Sequence, residues 1–85
     1  MVVGYSGIMT SQEAKYLAAF GQRIGELRRK SKLTQEQLAE KAGLTQRTIA
    51  SIEQGQRWAR LSTLHKLAKA LGVPRHELLK DRGTK

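Results

Sequence analysis

The chain has 85 residues and no cysteine, and its sixteen Lys and Arg outnumber seven Asp and Glu to give a formal charge of +9. A chain this short makes one small domain without room for a deep catalytic cleft, and without thiols it has no disulfide framework, no Cys-based zinc site and no sign of secretion. So basic a chain suits a polyanion, nucleic acid first. The plainer reading is charge that only keeps a small protein in solution, and an anionic membrane fits worse because the basic residues are spread over several elements.

Residues 1–9 are mildly apolar but broken by Gly4, Ser6 and Gly7, and they carry no basic leader, so they do not read as a signal peptide. They belong to an N-terminal extension over 1–13, where Tyr5 and Ile8 are candidates for an arm exchanged between subunits. The domain proper is expected over 14–80. Leu17, Phe20, Ile24 and Leu27 recur at three- and four-residue steps and mark the apolar stripe of a first helix over about 11–30. Thr10 with Glu13 fits a capping box at its start, and Arg28, Arg29 and Lys30 suit the negative end of its dipole. Gly21 and Gly25 weaken this helix, so the part before Phe20 is open to being a separate or frayed turn.

Thr34 and Gln37 form a second capping box for a helix over 35–42, which must stop at Gly43, a residue that accepts positive φ. Thr45 caps a third helix over 46–54, ended by Gly55. Leu61, Leu64, Ala68 and Leu71 mark a fourth over 61–71, ended by Gly72. Pro74 then falls where a first helical turn tolerates proline, and Leu78 and Leu79 close a fifth helix over 75–80. Residues 81–85 read as a polar tail. No stretch shows β alternation, so the expected fold class is all-α with five helices. No run approaches the roughly 20 apolar residues of a membrane span, and the chain is expected to be soluble and cytoplasmic.

Two helices of about two turns joined by Gly43, Leu44 and Thr45 make a helix-turn-helix unit. Ala39 supplies the small residue where the two helices approach, and Ile49 and Ile52 pin the third helix to the core. The opposite side then carries Arg47, Ser51 and Gln54, with Ala50 beside them and Gln46 at the exposed first turn. Such side chains suit base edges in a major groove, where Arg pairs with guanine and Gln with adenine. Gln46, Arg47, Ala50 and Ser51 are therefore the base-contact candidates. Gln35 begins the second helix, where free N–H groups and the dipole attract a phosphate. Thr45, Thr48, Gln54, Arg57 and Arg60 are the further backbone-contact candidates, with a minor-groove alternative for Arg57 or Arg60. The plain alternative for all of them is a capped or solvated surface.

On these features residues 20–79 resemble the phage repressor/Cro-type helix-turn-helix family, also called the xenobiotic-response-element family. The resemblance is carried by FGQRIGELRRKSKLTQEQLAEKAGLTQRTIASIEQG and LSTLHKLAKALGV. Within them Leu-Thr-Gln, Ala39, Gly43, Ile49, Ile52, Glu-x-Gly and the Leu-Ala-x-Ala-Leu-Gly end fit together. It implies a compact bundle of five helices that binds duplex DNA as a dimer and, in many members, represses transcription. It also implies that Gln35 matches a backbone-contacting Gln, and that Arg28 and Glu53 match a structural pair tying the first helix to the end of the third. A pure phosphate contact is the competing role for Arg28. The chain departs from the family before the fourth helix, where Trp58, Ala59 and Arg60 replace small-polar and proline residues. Trp58 is expected to pack on the fourth or fifth helix or on a partner subunit rather than to stack on DNA.

His65 and His76 are too far apart in sequence, and too short of companions, to suggest a metal. Ser51, Ser62 and the histidines make no nucleophile arrangement, and there is no Gly-rich phosphate loop, so neither an enzyme nor a cofactor is expected. The expected function is a sequence-specific DNA-binding regulator, a repressor that binds a pseudo-palindromic operator as a homodimer with helix 46–54 in the major groove. The alternative is an antitoxin or bridging module of the same fold that holds a protein partner such as a toxin. Trp58, Leu78 and Leu79 are the dimer-interface candidates, since they follow the recognition helix and exceed what one small core requires.

Overall fold

The computed structural model describes residues 10–79, so the expectations for the Tyr5 and Ile8 arm, for residue 80 and for the tail 81–85 lie outside the described residues. Five helices follow in chain order, with no strand among the described residues: α1 (Ser11–Lys30), α2 (Gln35–Ala42), α3 (Gln46–Glu53), α4 (Leu61–Leu71) and α5 (Arg75–Leu78). The first three each start on a threonine. Thr10 Oγ1 accepts from the Glu13 N–H at 3.0 Å while Glu13 Oε1 accepts from the Thr10 N–H at 2.9 Å. Thr34 and Gln37 repeat this exchange at 3.0 and 2.8 Å, and Thr45 Oγ1 accepts from the Thr48 N–H at 3.1 Å. Each cap satisfies a donor that has no partner inside its helix, for about 1 kcal/mol.

Gly43 and Gly72 end α2 and α4 in the left-handed conformation, each with φ of 71°. Lys32, in the turn between α1 and α2, adopts φ of 61° with a side chain attached. Lys32→Gly is therefore expected to stabilise the fold by about 0.5–1 kcal/mol, the relief of the left-handed strain outweighing a looser unfolded chain. A raised urea midpoint at unchanged slope is the measurement that checks it.

The core gathers one face of every helix. Ile24, Leu38, Ile49, Ile52, Leu67 and Leu78 are fully buried and pack with Phe20, Leu27, Ala39 and Leu71. α3 lies against α1 and α2, α2 against α4, and α5 joins α4 to α1. Ala39, nearly inaccessible, sits in this shared core.

α1 spans 11–30 as expected and runs unbroken through Gly21 and Gly25, both buried where α1 meets the end of α3: a Cβ on Gly21 would overlap the Ile52 carbonyl oxygen. Three expectations need correction. Leu61 is 69% exposed, since it begins α4 beyond the end of the core; Ala68 and Leu71 of that stripe are buried, together with Leu67, which the stripe did not include. Pro74 precedes α5 as its N-cap, with φ of −66° and ψ of 152°, rather than lying in its first turn. Leu78 is not a surface for a second subunit. It is wholly buried in the monomer core, because α5 closes against α4 and α1.

A tie that joins residues far apart in sequence holds α5 in place. Arg23 on α1 donates through Nε to the Glu77 carbonyl at 2.9 Å and through Nη2 to Glu77 Oε1 at 2.7 Å. Trp58 also departs from expectation. It stacks on Phe20 of α1, ring centroids 5.6 Å apart, because Gly55 at φ of 73° brings the loop onto α1 beside Ala18. One face of the indole is covered in this way and about half of the side chain stays exposed.

Candidate nucleic-acid interface

Burial of Ile49 and Ile52 fixes the rotation of α3 about its axis. Gln46 and Arg47 are then exposed at its first turn, Ala50 and Ser51 are half-buried, and Gln54, the C-cap residue, is exposed. α2 packs on α3, so the N-terminus of α2 arrives beside the N-terminus of α3, and two glutamines meet there.

A continuous chain of hydrogen bonds starts on α1 and ends at the tip of α3. Arg28 donates through Nε to Glu53 Oε2 at 2.6 Å, through Nη2 to Glu53 Oε1 at 3.1 Å and through Nη1 to the Leu33 carbonyl at 2.9 Å. All three guanidinium nitrogens thus donate inside the protein, and the pair is nearly closed to solvent, with side-chain exposures of 13% and 9%. Gln35 Nε2 donates to Glu53 Oε1 at 3.1 Å, and Gln46 Nε2 donates to Gln35 Oε1 at 2.7 Å. Charge-assisted bonds at the nearly closed end therefore anchor the half-buried Gln35 amide and, through it, the exposed Gln46 amide.

A second cluster flanks the start of α3. The hydroxyls of Thr45 and Thr48 lie 2.9 Å apart, and Arg57 Nη1 donates to Thr48 Oγ1 at 3.5 Å. This contact brings the loop after α3 back beside the beginning of the helix, with the Arg57 guanidinium exposed. Arg60 is exposed too and occupies the N-cap of α4, where its side chain makes no capping bond. Arg23 and Arg28, by contrast, are engaged in ion pairs with Glu77 and Glu53. His65 and His76 both lie on the exposed surface, and among the described residues no group of three His, Cys, Asp or Glu could hold a metal ion. No helix among the described residues is long and apolar enough to cross a membrane.

Sequence reasoning treats Gln35 and Gln46 separately, one facing a phosphate and the other a base, and misses their contact. The signal was the repeated Thr-Gln dipeptide at 34–35 and 45–46: a threonine caps each of two adjacent helices and leaves a glutamine as the first residue of each. The bond from Gln35 to Glu53 and the tie from Arg23 to Glu77 carry no comparable signal, since each depends on how helices cross.

Comparison with known proteins places this geometry in a family. A family model described as helix-turn-helix matches residues 24–78. The uncharacterized HTH-type transcriptional regulator RghRB of Bacillus subtilis is 43% identical over 68 residues, which cover 79% of this chain and 49% of RghRB. The immunity repressor protein of Bacillus phage phi105 is 51% identical over 53 residues, covering 62% of this chain and 37% of the repressor. The chain thus spans about half of RghRB and a smaller part of the phage repressor. The crystal structure of the restriction-modification controller protein C.AhdI from Aeromonas hydrophila aligns with a TM-score of 0.72 at 44% identity, covering 73% of this chain and 94% of that one. Five helices in this order, a matching family model over most of their length and relatives that include a phage repressor lead to one assignment: the chain belongs to the helix-turn-helix family of transcriptional regulators, of the phage repressor and Cro type.

Proposed function

We propose that this chain binds double-stranded DNA in a sequence-specific manner, with α3 in the major groove, and represses transcription. The observation that carries the reading is the joint exposure of Gln46 and Arg47 on the first turn of α3, beside Gln35 and Arg57, which stand where a flanking backbone would run. Arg47 has the donors for the O6 and N7 atoms of a guanine, and Gln46 has the donor and acceptor that an adenine edge needs. Gln35, Thr45, Thr48, Gln54, Arg57 and Arg60 then position the domain through phosphates, while Ala50 and Ser51 approach the bases more closely along the helix. Repression is supported by the likeness to the phage immunity repressor, and control of a small set of genes by the likeness to a restriction-modification controller.

A homodimer on a pseudo-palindromic operator completes the proposal. One helix of about two turns reads too few base pairs to stand out in a genome, and two copies spaced one DNA turn apart, roughly 34 Å, supply the missing specificity. Leu79 and the open face of Trp58 are the candidate dimer surface, being 55% and 49% exposed. The test is the salt dependence of binding. A dimer that neutralises about six to ten phosphates gives a log–log slope of about −5 to −9 between affinity and salt concentration. A slope near zero on the tightest duplex would overturn the reading and leave a protein partner as the better explanation of the surface.

A further inference from the structure

A carboxamide on its own has no preferred polarity, because its two ends are alike in size and it can turn either outward. The chain of bonds from Arg28 to Gln46 removes that freedom. Glu53 receives Arg28 on both oxygens, and an ionised carboxylate can only accept hydrogen bonds. Gln35 must therefore turn its NH2 toward Glu53, which leaves its oxygen facing Gln46. Gln46 must in turn give its NH2 to that oxygen. Reversing Gln46 would set two amide oxygens against each other, and reversing Gln35 would set an oxygen against the carboxylate. What Gln46 has left is its own oxygen and its second N–H.

We infer that Glu53 is a positioning residue for base reading: acting through Gln35, it fixes the polarity of the Gln46 amide, and so makes the tip of α3 select adenine over guanine. The inference rests on the proposed role of α3 as the base-reading helix. Adenine shows an N7 acceptor and an N6 amino donor in the major groove, which complement one N–H and one oxygen. Guanine shows two acceptors, N7 and O6, and the Gln46 oxygen finds no donor there. The ion pair thus serves two purposes, joining α1 to α3 and holding the first reading group in one state.

The experiment measures binding on the tightest duplex recovered from a random pool and on every single base-pair substitution of it. It compares the parent with Gln46→Ala, Glu53→Gln and Gln35→Met, each checked for helicity. Gln46→Ala identifies the position that Gln46 reads, where the parent should prefer adenine to guanine by about tenfold or more. In Glu53→Gln the new amide meets Arg28 with one acceptor and one donor in either orientation, so it no longer dictates which end Gln35 turns toward it. Adenine preference at that one position should fall toward parity, with the other positions unchanged. Gln35→Met leaves the ion pair whole and cuts the chain, so it should abolish the preference without reversing it, and it carries the test if Glu53→Gln does not fold. A purely structural Glu53 predicts weaker binding on all duplexes by a common factor. Adenine preference retained in either folded variant overturns the inference and leaves the DNA-binding reading standing. If Gln46→Ala alters no single position, base reading by Gln46 fails and the inference fails with it.

Discussion

Gly21→Ala should destabilise the fold by about 2–3 kcal/mol, whereas Gly25→Ala, one turn further along α1, should be neutral or stabilising by up to about 1 kcal/mol. Helix propensity favours alanine equally at both positions, so the difference lies in what a Cβ would meet. At Gly21 it would overlap the Ile52 carbonyl oxygen and lie 2.8 Å from that of Glu53, and backbone atoms cannot rotate away. The only relief is to push α1 off α3. That shift loosens the packing of Phe20 and Ile24 and also tilts α3, so DNA affinity should drop along with stability. At Gly25 the nearest atoms are Arg29 Nη1 at 3.2 Å and Nη2 at 3.4 Å, the far end of an exposed side chain, with Glu53 Oε1 at 3.4 Å. The guanidinium can swing aside, so the propensity gain survives. Urea midpoints of the two variants decide the matter. A Gly21→Ala protein as stable as the parent would mean that the Ile52 and Glu53 carbonyls do not press on α1 at this point.

Removing one partner of the buried ion pair should cost about 3 kcal/mol, the low end of the range for such pairs, because a little solvent still reaches both side chains. Glu53→Ala leaves the Arg28 guanidinium with only the Leu33 carbonyl as an acceptor, and Arg28→Ala leaves the carboxylate with only Gln35. The double variant should lose clearly less than the sum of the two, since neither charge is then stranded. Breaking the more open tie between Arg23 and Glu77, whose side chains are 16% and 28% exposed, should cost only about 1 kcal/mol by the same reasoning. Denaturation of Glu53→Ala, Arg28→Ala, their double variant and Arg23→Ala checks both the magnitudes and the non-additivity. A well-packed apolar replacement of both Arg28 and Glu53 can be as stable as the pair itself. Stability alone is thus a weak reason for a charged pair at this place, and orientation of Gln35 is a stronger one.

The starts and stops of the helices were legible in the sequence because the chemistry that makes them is local. A threonine three residues before Glu13 or Gln37, and a glycine at residue 43 or 72, act within a single turn and need no knowledge of the fold. The inward face of α3 was legible for a similar reason, since Ile49 and Ile52 leave one rotation of a short helix that buries both. What depended on helices meeting was not legible. Gly21 reads locally as a weak point, and only the approach of Ile52 and Glu53 from a helix more than thirty residues away makes it a contact point. Leu78 and Leu79 are equivalent as letters, yet the one turn of α5 buries the first and exposes the second. The direction in which Gly55 sends the loop decides that Trp58 rests on Phe20, and no periodicity encodes that direction. Among the candidate contact residues, exposure follows from the pattern, whereas the linkage of Gln46 to Gln35 and Glu53 follows only from the crossing of α2 with α3.

Selection of bound duplexes from a random DNA pool, followed by sequencing, tests most directly the claim that α3 reads base pairs from paired subunits. The account predicts one enriched motif made of two inverted half-sites whose centres lie about 10 base pairs apart, the spacing of two recognition helices on one face of the duplex. Recovery of unrelated duplexes bound with equal affinity would contradict it.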